Sequence, residues 1–146
     1  MMTSSHLAPF THTLQKADQW MGSLSESASI DDTQKVYRML RATLHALRDQ
    51  LVPTEAAHLA AQMPTLLRGV YYEGWNPSRA PEPQRSQEAF LERVSEELEG
   101  SADPDPETAA RSVFRELQSR VTAGEIEDVR QMLPEELRPL WDGTGR

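Results

Sequence analysis

Shifted by seventy residues, the chain lies over itself without a gap. The offset places Pro64 on Pro134, Leu67 on Leu137, Arg68 on Arg138 and Tyr71 on Trp141. It also places Trp20 on Phe90, Leu24 on Val94, Leu40 on Ala110, Leu44 on Phe114, Leu47 on Leu117, Leu51 on Val121 and Glu55 on Glu125. One register that aligns helix faces, a proline break and an aromatic end together reads as a duplicated unit. That constrains the fold more than any other feature. Whatever one half forms, the other must form again within 146 residues.

The repeated unit reads as four helices. Phe10, Leu14, Ala17, Met21 and Leu24 recur at steps of three and four, with Trp20 widening the stripe. They predict an amphipathic helix ending in the serine-rich run Ser23–Ser29. Asp31 is placed to cap a second helix, with Gln34 at the third position of a capping box. Along that helix Tyr37, Leu40, Leu44, Leu47 and Leu51 keep the helical spacing without a miss. Pro53 stops it, and Thr54 suits the N-cap of a third helix carrying Leu59 and Met63. Pro64 would remove a hydrogen bond from a helix interior but suits the opening of a fourth, with Leu66, Leu67, Val70 and Tyr71 on its apolar side. With 7 glycines and few β-branched or aromatic residues, a sheet is not expected.

Residues 74–86, GWNPSRAPEPQRS, hold prolines 77, 81 and 83 and predict an extended linker rather than an element. The expected organisation is a polar tail over 1–9, a helical unit over 10–74, a Pro-rich linker over 75–86 and a second helical unit over 87–146. The fold class is all-α, with the two quasi-repeated four-helix units packed together, since one unit of about 65 residues alone would be marginal. The copies are unequal. Asp105-Pro106-Glu107 gives the second long helix a cap, a proline at its first position and a favourable charge. Pro139 stands where the first copy has Gly69. Glycine in a helix interior costs about 1 kcal/mol against alanine and proline about 3. The last helix of the second copy is therefore expected to turn early and tuck Trp141 inward.

The run LHALRDQLVPTEAAHLAAQMPTLLRGVYYEGW, followed by a proline-bearing linker and a second unit ending GEIEDVRQMLPEELRPLW, resembles a bacterial domain-of-unknown-function family, number 2267. The resemblance covers residues 10–141. It rests on the two leucine-rich helices, the QMP and MLP breaks and the pairs Leu67-Arg68 and Leu137-Arg138, all in order. It implies an all-helical, duplicated bacterial domain. It implies no activity, cofactor or catalytic residue.

Composition narrows the chemistry. There is no cysteine, which removes disulfides, thiolate nucleophiles and thiolate metal sites. No apolar run reaches the roughly 18 residues of a membrane span, and MMTSSHLAPFTHTLQK lacks a secretory apolar core, so a soluble cytoplasmic protein is expected. Residues 1–80 carry seven basic and seven acidic side chains, whereas residues 81–146 carry eight and sixteen, which accounts for the net charge of −8. Such a balance repels polyanions. No GxSxG, SxxK, GxGxxG or Walker loop occurs, and the histidines (6, 12, 45 and 58) show neither HxxxH nor HExxH spacing. They read as surface residues, and neither a metal nor a cofactor is expected. An enzyme is not the expected class.

The functional candidates are therefore binding residues. Arg68 and Arg138 each follow a helix start, where a guanidinium can hold a ligand's carboxylate or phosphate, or tie its helix to carbonyls of the preceding one. Pro64, Leu67, Tyr71, Pro134, Leu137, Arg138 and Trp141 read as parts of a repeated joint. Tyr72 and Trp75 have no aromatic counterparts and either cover the linker prolines or form a partner-binding patch. Arg38, Arg41, His45 and Arg48 form a basic stripe, read as a solvated flank pairing with the acidic helix Glu88–Glu99, or else as a nucleic-acid surface. The leading expectation is a module that binds a protein partner or itself. The alternatives are a small anionic ligand held by Arg68 at the inter-unit cleft and, third, nucleic acid on the Arg38–Arg48 stripe.

Overall fold

A computed structural model describes residues 7–98 and 104–142. The described residues form eight α-helices and no strand: α1 (Ala8–Ala28), α2 (Thr33–Asp49), α3 (Pro53–Ala60), α4 (Thr65–Tyr72), α5 (Gln87–Glu97), α6 (Pro106–Arg120), α7 (Ala123–Met132) and α8 (Arg138–Asp142). Short 3-10 turns at Pro77–Arg79 and Glu135–Leu137 complete the list of regular elements. The fold is all-helical, as its composition requires.

Helix α2 is the centre. It packs against α1, α4, α5 and α6, and every residue from Ala42 to Arg48 is buried. An amphipathic stripe accounts for Leu40, Leu44 and Leu47 but not for a helix enclosed on all sides. The enclosure draws Thr43, His45 and Arg48 inside as well. One continuous apolar cluster runs through both halves of the chain, from Trp20 and Leu24 through the α2 leucines to Phe114 and Trp141. Trp141 is fully buried and stacks on Phe114 at 4.2 Å between ring centroids. Its strand of chain does turn early: Glu135–Leu137 are 3-10, and the five-residue α8 carries Pro139 in its first turn.

Several local expectations are corrected. The serine run does hold the end of α1, as expected, but at its far edge: the helix continues to Ala28 and closes on Ser29 in the left-handed region at φ 58°. Tertiary partners outweigh serine's preference for caps: Leu24 is completely buried, and the Ser23 hydroxyl donates to the Glu116 carboxylate on α6. Phe10 and Leu14 do not join the core; they are 60% and 50% exposed, and only Ala17, Trp20 and Leu24 of that stripe are buried. Tyr37 likewise stays outside at 37%. Asp32, not Asp31, caps α2, accepting from the Gln34 and Lys35 amides at 2.9 and 3.4 Å. Pro53 opens α3 behind Val52, so Thr54 is inside the helix and not its cap. Residues 75–86 are not extended throughout, since Pro77–Arg79 form a turn. That segment is strapped to the end of α2 by Glu82 N–H donating to Asp49 O at 2.8 Å and by Gln50 Nε2 donating to Gln84 O at 3.2 Å.

The buried cations of α2 close the C-terminal end of α4. The last carbonyls of a helix have no partner within it. Here His45 Nε2 meets Val70 O at 2.7 Å, and Arg48 donates to Tyr71 O at 2.8 Å and Glu73 O at 2.7 Å. Positive charge at a helix C-terminus also opposes the helix dipole. Replacing Arg48 with Met keeps the side chain's length and removes the donors, leaving those carbonyls and Asp49 without their partner. Arg48→Met is expected to lower unfolding free energy by about 3 kcal/mol in urea titration, against less than about 0.5 for an exposed control such as Arg79→Met.

Candidate functional site

Arg41, His45 and Arg48 of the basic stripe of α2 are engaged within the molecule, while Arg38 lies half-buried beside Arg41 at a surface pocket. Arg41 pairs with Glu97 at 2.7 Å and with Glu73 at 3.0 Å. His45 Nδ1 lies 2.9 Å from a Glu97 oxygen, and its other nitrogen faces the Val70 carbonyl. Both ring nitrogens thus face acceptors, an arrangement fully satisfied only when both carry hydrogen. The reading of His45 as a surface residue is corrected: it is 2% exposed. Helical periodicity hid this, because a helix enclosed on every side buries positions outside its apolar stripe. Glu97 on α5 collects Arg41, His45 and Arg93 together. Burial works against its ionisation, but the hydrogen bonds from His45 and Arg93 outweigh that and hold its carboxyl down at about 2. No exposed row of cations remains on α2 for a phosphate backbone to follow.

Arg68 donates from Nε to Ala60 O and from a terminal nitrogen to Met63 O, both at 3.2 Å. Arg138 reaches Gln131 O in the same manner at 3.3 Å. Each guanidinium ties a helix start to the carbonyls that end the preceding helix. Leu67 and Tyr71 are buried with Leu137 and Trp141, and Pro64 and Pro134 precede α4 and the second 3-10 turn. The Tyr71 hydroxyl donates to Ala56 O at 2.9 Å, and burial pushes it far above the ordinary phenol range. Tyr72 and Trp75 stack on each other at 5.1 Å and lie half-buried against the core.

One face of Arg68 looks into a groove of about 500 Å³ between α1, the α3–α4 junction and the end of α6. His12, Lys16, Arg68 and Arg120 line it together with Trp20, and no carboxylate does among the described residues. Arg120 is placed there by Glu116 at 3.0 Å, by the Gln19 carbonyl at 3.0 Å and by the Trp20 ring 6.0 Å away. Lys16 is exposed, with no ion-pair partner among the described residues. His12 belongs to α1 rather than to a polar tail; His6 lies outside the described residues. Leu7, the N-cap of α1, and Phe10 and Leu14 within it stand at helical spacing on another side of the helix from the groove, exposed by 58, 60 and 50%. Leu66 on α4 is 43% exposed, and its amide is held by the Thr13 hydroxyl of α1 at 3.0 Å. Apolar side chains recurring this way on a free helix face mark a contact surface rather than scattered exposure. Sequence reasoning assigned Phe10 and Leu14 to the core because periodicity reports that a helix has an apolar side, not what covers it.

A second cluster sits where α3 meets α7. Glu55, His58 and Glu125 each offer one donor atom within 4.8 Å of the others. Glu55 is 9% exposed. Its Oε2 and the Oε2 of Glu125 are both buried without a hydrogen-bond partner among the described residues. Burial and the neighbouring Glu55 carboxylate push Glu125 up to about 8. The signal for this pair was in the sequence, in the seventy-residue register that sets Glu55 on Glu125 and in the Glu-x-x-His spacing of 55 and 58.

The family model described as "Uncharacterized conserved protein (DUF2267)" matches residues 17–140, and the chain belongs to that family. No curated protein matches it. Among the described residues, no helix is long and apolar enough to cross a membrane.

The two carboxylates pull stability in opposite directions with pH. Glu97 has a lowered folded value, so its contribution is complete above the ordinary 4.5 and is lost as pH falls toward about 2. Glu125 has a raised folded value, so its contribution is complete below 4.5 and is lost as pH rises through about 8. Chemical denaturation in chelator across this range is expected to show Glu97→Gln destabilising at neutral pH, with the deficit shrinking in acid. Glu125→Gln is expected to stabilise the protein most at the alkaline end and hardly at all in acid.

Proposed function

Starting from membership of a family that carries no assigned activity, we propose that this protein is a non-enzymatic binding module whose recognition face is the α1–α4 groove. Its occupant is an acidic amphipathic helix of a protein partner. The observation that carries the reading is the groove lined by His12, Lys16, Arg68 and Arg120 with no carboxylate among the described residues, joined on another side of the same helix start by the exposed row Leu7, Phe10 and Leu14. A helix laid on this face would bury its apolar side on the α1 row and set its carboxylates over the cations, a recurring mode of helix recognition. The charge arrangement favours an acidic partner over a symmetric pairing of two copies, which would bring two basic grooves together. Tyr72 and Trp75, half-buried and mutually stacked, are better suited to bracing the end of α4 than to forming the contact surface.

The scaffold of this module is proposed to be a duplicated four-helix unit joined through residues 75–86. Support comes from element order: α2, α3 and α4 start at residues 33, 53 and 65, and α6, α7 and the second 3-10 turn start at 106, 123 and 135. The groove draws on both units, since Arg120 comes from α6 and the rest from α1 and the α3–α4 junction.

The test is to replace Phe10 with a photo-crosslinking phenylalanine in the native host, identify the captured segment and rebuild the purified pair. The expected segment is an acidic amphipathic helix. Its affinity should fall with rising salt and drop at least about tenfold for Phe10→Ser with Leu14→Ser, and for Lys16→Glu. Crosslinks only to lipid, or only to other copies of the chain, would overturn the proposal. Thermal stabilisation by inorganic phosphate that vanishes in Lys16→Glu, with no protein captured, would instead reassign the groove to a small anion.

A further inference from the structure

We propose that Glu55, His58 and Glu125 form a binding site for one divalent transition-metal cation of the zinc class, bridging α3 and α7. The proposal begins with an arrangement that is costly without a cation. Two carboxylates from different helices are brought together where α3 packs on α7. Each keeps a buried oxygen with no hydrogen-bond partner among the described residues. Buried polar atoms without partners are rare because each costs the full loss of its hydration. A cation bound between the two carboxylates removes that cost.

The donor set is also right for such a cation. Glu55 and His58 are three residues apart on α3, so both project from one face of the helix. Glu-x-x-His from one helix with a glutamate from a facing helix is a recurrent way to hold a transition metal between helices. Carboxylate with imidazole suits zinc, manganese or cobalt, whereas magnesium and calcium take oxygen donors alone. Donors in a tetrahedral zinc site stand roughly 3.3 Å apart, and here they lie within 4.8 Å of one another. The gap closes by rotamer motion of His58, whose side chain is 68% exposed and already 3.8 Å from a Glu55 oxygen. Three protein donors leave a coordination position for water, the arrangement of an open rather than a closed zinc site. Asp128 stands three residues beyond Glu125 on α7, as His58 does beyond Glu55, and adds negative potential at the site.

The site is separate from the α1–α4 groove, so the two readings stand or fall independently. The experiment is isothermal titration of zinc chloride into the full chain, prepared without a histidine tag and stripped with chelator. One equivalent is expected to bind, and cobalt in its place should give the visible absorption of a site with fewer than six ligands. Glu55→Gln and Glu125→Gln should each weaken zinc at least about tenfold, and His58→Ala comparably. Glu125→Gln keeps the side chain's size and shape, and circular dichroism verifies the fold, so its loss of zinc cannot be put down to unfolding. Magnesium should fail to compete. Absence of zinc binding at about 100 µM metal, or binding that survives both glutamine variants, would overturn the proposal and leave a carboxylate pair that shares one proton.

Discussion

The structure depends on how α4 ends. Its last carbonyls have no partner within the helix. Arg48 and His45 on α2 reach across and donate to Val70, Tyr71 and Glu73. Burying a cation is costly unless it is paired and fully hydrogen-bonded; Asp49 supplies the charge beside Arg48, and Glu97 meets the ring of His45. Glu97 belongs to α5, so the same network that closes α4 also clamps the second half of the chain onto the first. One polar network therefore fixes α2, α4 and α5 relative to one another, and the apolar cluster fills in around it.

That arrangement decides which surfaces are free. With Arg41, His45 and Arg48 of α2 held by partners within the molecule, Lys16, Arg68 and Arg120 line a groove that no carboxylate lines among the described residues. The N-terminal half of α1 extends past the core that Ala17, Trp20 and Leu24 join, which leaves Leu7, Phe10 and Leu14 outside. On the opposite contact, α3 meets α7, and the pairing brings Glu55 to Glu125. The proposed binding groove and the proposed metal site both follow from where helices run on or meet, and not from any catalytic motif.

Much of the fold was legible residue by residue. The leucine spacing of α2, the proline openings before α4 and the second 3-10 turn, and the early turn that buries Trp141 were all readable, because each is set by local backbone physics. The misreadings share one cause. His45 looked like a surface residue, and Phe10 and Leu14 like core. In each case the outcome rests on what another helix places opposite: Glu97 and the Val70 carbonyl against His45, and no burying partner against Phe10 among the described residues. Local pattern reports a side chain's preference and its side of the helix, but not its neighbour.

The sequence by itself determined that the chain is helical, where most helices begin and which residues stand in register seventy apart, because propensity, capping and periodicity act within a few residues. Only the tertiary structure decided that the α2 cations face inward, that α1 outruns the core and that Glu55 meets Glu125. Those are matters of helix packing, where a side chain's environment is made by residues far along the chain: Arg41 with Glu97 is 56 apart, and Ser23 with Glu116 is 93. Burial then sets the chemistry, since a carboxylate pushed up to about 8 and another held near 2 are the same side chain in two packings.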